Sequence, residues 1–344
     1  MSRATFATFE TSSGAKIHRL PLQAFPKFWA NVYVVIKNDF QILIDTGSGT
    51  DSSHEDLLNG LTQAEINPSD LTHILLTHAH IDHYGGLSKL KLLTNAKIGC
   101  HELDLQTVAH HEARLALISR RLASFLADSG LAKDEADSLL SIYRFTKALY
   151  QSVPVDFTYD EKFPALEIVH LPGHCPGHVA LRLDDVIFCG DMVVQGVTPH
   201  IAPESINPHS GLDHYLESLE KLQSWSQGAR LILNGHDDVI TDLPSQIDAT
   251  HKNILRRMSK AINALSEPLT IAEVCNIVYE NPSGYNLLLT IEKTGAYIEY
   301  LYEHAMIEIV NADAVENGEP IRYRRLREIA DDEILSSKNK SVVE

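Results

Sequence analysis

"LLTHAHIDHYGG", residues 75–86, ends an apolar run with three histidines and an aspartate in six positions: His78, His80, Asp82 and His83. A strand that runs into a loop aims alternate side chains at one point, so His78 and His80 converge. Asp82 and His83, displaced along the following turn, reach a second point. Imidazole and carboxylate form a donor set that suits zinc first, with iron and manganese as alternatives. These residues complete neither site, because a four-coordinate zinc takes three or four protein ligands.

The missing ligands must come from elsewhere in the chain, and the same pattern recurs three times. "LPGHCPGH" places His174 after "LEIVHL", "FCGDM" places Asp191 after "DDVIF", and "LNGHDD" places His236 after "RLIL". Each follows the end of a short apolar run of strand type. One histidine in a loop is ordinarily a surface residue, whereas seven ligand-type residues at four strand ends argue for a shared site.

In these motifs, together with "LIDTG" around Asp45, the chain resembles the metallo-β-lactamase superfamily over about residues 15–245. The resemblance implies an α/β fold, an αββα sandwich with two divalent ions at one rim. His78, His80 and His174 would hold the first ion, and Asp82, His83 and His236 the second, with Asp191 bridging. Two ions about 3.5–4 Å apart hold a hydroxide between them and polarise the oxygen of a scissile group. The implied enzyme is a hydrolase in which Asp82 also manages the proton and no protein nucleophile is needed. Asp45 would orient a ligand and its turn, with capping of the turn at Gly47 as an equal alternative. His178 would face substrate or bond to the sheet, and Tyr84 and His200 would donate to substrate or simply pack. Cys175 and Cys189 flank ligands and are expected to be small buried groups. Histidines without a motif, including His54, His110, His111, His209, His214 and His251, are expected at the surface.

Working outward, residues 30–100 alternate β-branched runs with turns and helical spacing, an α/β rhythm. Residues 102–150 interrupt it with two amphipathic helical stretches, through Leu115, Ile118, Leu122, Phe125 and Leu126 and then Leu139, Leu140, Tyr143 and Leu149. This helical insertion either roofs the metal site or packs on the core or a dimer partner. A catalytic domain is therefore expected over 1–245. Residues 246–328 carry three helical stretches and a small hairpin around "ENGEP", which resembles a winged-helix unit, and 329–344 read as a flexible polar tail.

The chain has 344 residues with net charge −17, a field that repels phosphate backbones and anionic lipid. Four cysteines without a CxxC pair suggest reduced thiols and a cytoplasmic protein. No stretch approaches a transmembrane span or a signal-peptide h-region. A membrane role is not expected.

The motifs look most like the glyoxalase II and acyl-homoserine lactonase branch, which implies a small-molecule thioester, ester or lactone substrate. The alternative is a phosphodiesterase or endoribonuclease with the C-terminal unit gripping RNA, for which "HKNILRRMSK" and "RYRRLRE" offer basic clusters. Residues 251–344 nevertheless carry 11 basic against 15 acidic residues, a net of −4, so nucleic acid is disfavoured. A non-catalytic binding protein that kept the fold is the third reading.

Overall fold

The computed structural model describes residues 4–38, 40–159, 163 and 165–335. Strands β1 (Ala7–Glu10), β2 (Lys16–Phe25), β3 (Phe28–Lys37), β4 (Phe40–Ile44), β5 (His73–Leu75), β6 (Lys97–Cys100) and β7 (Phe157–Thr158) form one seven-stranded sheet in chain order. Its first four strands are an antiparallel meander and β4 to β7 run parallel. The second sheet holds β8 (Glu167–His170), β9 (Val179–Leu183), β10 (Val186–Phe188) and β11 (Leu231–Leu233) in the order β11-β10-β9-β8.

The period-two alternation of strand side chains makes these sheets a sandwich. Ile42 and Ile44 of β4 face Val179, Leu181, Phe188 and Leu233 of the second sheet. Leu43, between them, points outward onto Leu57 and Leu61 of helix α1 (Asp51–Gln63). A one-residue slip in β4 would exchange these faces, so burial on both sides fixes the register. Thr50 caps α1 by accepting the Ser53 N–H. Two single turns, α2 (Ile81–Tyr84) and α3 (Leu87–Leu90), complete that side.

The expected helical insertion is present as α4 (Leu105–Ala109), α5 (His111–Asp128) and α6 (Lys133–Lys147). After the second sheet's α7 (Leu212–Trp225) come α8 (Leu243–Ala264), α9 (Ile271–Tyr279) and α10 (Gly284–Glu303). Next come β12 (Ile307–Ile309), the turn α11 (Ala312–Val315), β13 (Tyr323–Arg325), antiparallel to β12, and α12 (Asp331–Ile334). The three helices and hairpin read from the sequence therefore occur in that order, with α8 starting slightly before the expected boundary.

These helices share one apolar core with the outer face of the second sheet. Leu122 of α5, Ile187 of β10, Leu219 of α7, Ile254 of α8, Val274 of α9 and Ile298 of α10 all belong to it. The apolar face of α5 is thus buried within the chain, whereas in the second stretch Leu139 is buried and Phe145 and Leu149 are exposed. A Cβ at Gly295 would lie 2.6 Å from the Phe125 ring, so glycine lets α10 close onto α5. Helix, sheet, sheet and helix layers give the αββα order.

Lys293 ties α10 to the loop beyond β10, its Nζ donating to the Thr198 carbonyl at 3.0 Å. Burial, reinforced by Arg257, pushes its pKa from 10.5 down to about 7. Between those values the unfolded chain keeps a proton that the folded chain has released, so stability rises with pH across that window. Denaturant unfolding of Lys293→Met is expected to show a flatter pH profile there than the wild type. An unchanged slope would assign it to other groups.

Among the described residues no helix is long and apolar enough to cross a membrane. All four cysteines are free and buried.

Candidate metal centre

The ligand-type residues gather at one rim because they follow the C-terminal ends of β5, β8, β10 and β11. His78 lies in the loop after β5 and His80 at the start of α2, whose single turn carries Asp82 and His83 round to the other side. That turn is the local reason one short motif serves two positions. One ligand atom from each of His78, His80 and His174 falls within 4.8 Å of the others, and the same holds for Asp82, His83 and His236.

Asp191 lies between the two triads. Its Oδ2 is 2.8 Å from His236 Nε2, 3.7 Å from His174 Nε2 and 3.9 Å from His78 Nε2, while Oδ1 is 3.5 Å from His83 Nε2. Asp82 Oδ2 lies 3.8 Å from His83 Nε2 and 3.7 Å from His236 Nε2. The structure thus brings all seven expected ligand residues together, with Asp191 within reach of both triads.

The outer ring nitrogens fix the tautomers. His174 Nδ1 meets the His200 carbonyl at 2.6 Å and His236 Nδ1 meets the Trp29 carbonyl at 2.8 Å. A carbonyl only accepts, so both Nδ1 atoms carry a proton and both Nε2 atoms point inward, that of His236 onto Asp191 Oδ2 at 2.8 Å. His83 Nδ1 donates to Asp45 Oδ2 at 2.8 Å. The Thr77 hydroxyl also gives its proton to Asp45 Oδ2, at 2.8 Å, and therefore accepts from His78 Nδ1 at 3.0 Å. Asp45 Oδ1 takes the Thr77 N–H at 2.7 Å. Asp45 accordingly orients one histidine of each triad, the first of its two expected roles, from a left-handed backbone at φ 61°.

The donor set fits a pair of metal ions. His83 Nε2 and Asp191 Oδ1, both buried, lie 3.5 Å apart and have no hydrogen-bond partner. Such an arrangement needs a cation between them. Burial lowers the pKa of His78, His80 and His174, the last to about 4, leaving neutral imidazoles as ligands. Burial acts the same way on His83, but Asp191, Asp45 and Asp82 outweigh it and raise its pKa well above the ordinary value. Asp191 stays charged because His236 and His83 overcome the burial that opposes ionisation.

The remaining expectations resolve residue by residue, and of these His111 departs from its expected place. Tyr84 is buried, with its hydroxyl 2.8 Å from His111 Nδ1, and so is engaged away from the pocket. His111, expected at the surface, is buried; its Nε2 donates to the Lys147 carbonyl at 2.8 Å and ties α5 to the end of α6. His178 bonds rather than facing outward, its Nε2 accepting the Asp191 N–H at 3.1 Å. His200 serves His174 through its carbonyl, while its ring is 2.8 Å from Glu292 of α10. Cys189 is buried, and Cys175 is buried with its thiol on Asp104 at 3.3 Å.

Asp104 had no signal in the sequence. Buried, it accepts the N–H groups of Ala79 at 2.8 Å and Gly177 at 3.0 Å, and so clamps the two ligand loops to each other. Gly235 is a second such residue, since a Cβ there would lie 2.1 Å from Asp191 Oδ1. Both partners are distant in sequence, so no local pattern marks either residue.

The family model described as the metallo-beta-lactamase superfamily matches residues 29–236, more than half of the chain. Among curated proteins, the chain is 23% identical over 284 residues to the Bacillus subtilis "Probable metallo-hydrolase YqjP", covering 78% of this chain and 87% of that one. It is 25% identical over 251 residues to an atrochrysone carboxyl ACP thioesterase of Aspergillus fumigatus, covering 70% of this chain but 45% of that protein. A solved structure of a metallo-beta-lactamase family protein from Thermus thermophilus superimposes with a TM-score of 0.72 at 24% identity, covering 90% of this chain and 98% of that one. That likeness is one of fold.

Proposed function

This chain belongs to the metallo-beta-lactamase superfamily and is a metallo-hydrolase, and from that premise we propose that it cleaves a carboxylic ester, thioester or lactone at a dinuclear site. The observation that carries the reading is Asp191 set between two complete ligand triads, with Asp82 beside His83 and His236. The histidine-rich donor set favours zinc, with iron and manganese as alternatives. When bound, such a pair of ions activates water and polarises a carbonyl oxygen. The chain's own part is to hold the inward lone pairs through Asp45, Thr77, Trp29 and His200, and to take up a proton at Asp82.

Several features support a carbonyl rather than a phosphate substrate. The net charge is −17. Lys147 Nζ, at the end of the insertion, lies 5.2 Å from the Tyr143 ring centroid; burial lowers its pKa while Glu292 and Asp82 oppose that, and burial with help from Asp82 raises the pKa of Tyr150 and Tyr285. A cation among tyrosines next to the metal ligands suits an acyl compound with an anionic or aromatic part. The ACP thioesterase relative acts on a carboxyl ACP by its printed name, which agrees with this class. The order of three helices and a hairpin supports a winged-helix-like reading of residues 246–328, here serving to buttress the catalytic rim.

A nuclease reading has one observation in its favour, the groove between α8 and α9 lined by Arg256, Arg257 and Lys260. A single panel separates the two. Metal-loaded protein is offered acyl lactones, acyl thioesters, aryl esters, a phosphodiester and structured RNA, with His80→Ala as the background. Turnover of carbonyl substrates, lost in the variant, is the expected result. Cleavage of RNA or phosphodiester alone would overturn it.

A further inference from the structure

The loop after β10 and the first turn of α7 carry another group of ligand-type side chains, made of none of the seven described above. Glu204, His209 and His214 present a carboxylate oxygen and two imidazole nitrogens that all lie within 4.8 Å of one another. Glu204 Oε1 accepts the His209 N–H at 2.9 Å and lies 2.9 Å from His214 Nε2. The Glu204 N–H is itself held by Glu299 of α10 at 2.7 Å.

The adjoining cavity is short of positive charge. Glu204, Asp213, Glu299 and Glu303 line it with no lysine or arginine among its lining residues, and His304 already pairs with Asp213 at 3.0 Å. Burial raises the carboxyl pKa values of Glu299 and Glu303, helped by the neighbouring carboxylates. Ser210 lines the same cavity wholly buried, and its hydroxyl has no hydrogen-bond partner. A buried unpartnered hydroxyl in a cavity lined by four carboxylates and the His214 imidazole indicates a missing polar occupant.

We propose that Glu204, His209 and His214 bind one divalent transition-metal ion of the zinc class, separate from the catalytic pair. Two imidazoles and one carboxylate are a three-ligand zinc set that leaves a fourth position to solvent. The ion staples the loop to α7, and Glu299 passes that restraint to α10. The same loop begins near His200, whose carbonyl orients His174, so the ion steadies the catalytic rim from outside.

His209 is exposed and has a left-handed backbone at φ 66°, which asparagine tolerates better than most residues, so His209→Asn is the mild variant. His214→Ala is the second. Full-length wild type and both variants are dialysed against zinc buffered in the low micromolar range, zinc is counted per chain by elemental analysis, and circular dichroism checks the fold. Each folded variant is expected to hold one zinc ion fewer than the wild type. The difference is what is read, so the result does not depend on how many ions the catalytic centre holds or what it hydrolyses. Equal zinc in the wild type and the folded variants overturns the proposal.

Discussion

Asp191→Ala is expected to lower turnover roughly a thousandfold or more, the equivalent of about 4 kcal/mol of transition-state stabilisation. Asp191 is the carboxylate that reaches both triads, from 2.8 Å at His236 to 3.9 Å at His78. With two dications bound, its loss would leave them to share a buried space without a common anion, so occupancy of the second position should fall as well. A longer acid is not a remedy, because Gly235 already packs against Oδ1 so closely that a Cβ would overlap it. The check is elemental analysis beside turnover of the best substrate in the panel. Turnover within tenfold of the wild type would remove the bridging role.

Asp45→Asn should be the second largest loss, although Asp45 touches no metal position. Its carboxylate accepts three donors, the Thr77 N–H, the Thr77 hydroxyl and His83 Nδ1. An amide has one acceptor atom, and its NH₂ group would face at least one of those donors in either flip. His83 then loses its tautomer lock directly, and His78 loses it through Thr77. Replacing a group that orients a metal-binding histidine typically costs about ten- to a hundredfold in metal affinity or activity, and here one residue serves two ligands. Competition with a chelator should show weaker binding at both positions. Weakening confined to one position would break the proposed link through Thr77.

The sandwich was legible because burial on two faces imposes a visible alternation, as at Ile42, Leu43 and Ile44. The helical insertion was legible for a similar reason, since Leu122, Phe125 and Leu126 of α5 repeat at helical spacing and are buried. What the insertion's apolar face meets could not be read, because the close approach of Phe125 to Gly295 joins residues far apart in the chain. His111 was misplaced on the same ground. Its burial depends on Tyr84 and on the Lys147 carbonyl, and every residue has a carbonyl, so no residue type signals such a partner.

The division between local and distant information also runs through the metal centre. By itself the sequence pointed to the seven ligand-type residues that the structure brings together, because histidine and aspartate at strand ends are a matter of residue type and local position. Only the tertiary structure decided what holds them in place: Asp104 clamping two loops, the His200 and Trp29 carbonyls setting tautomers, and Asp45 serving both triads. These depend on long-range closeness between groups of common type, and that closeness exists only once the hydrophobic layers have packed and fixed where each strand ends.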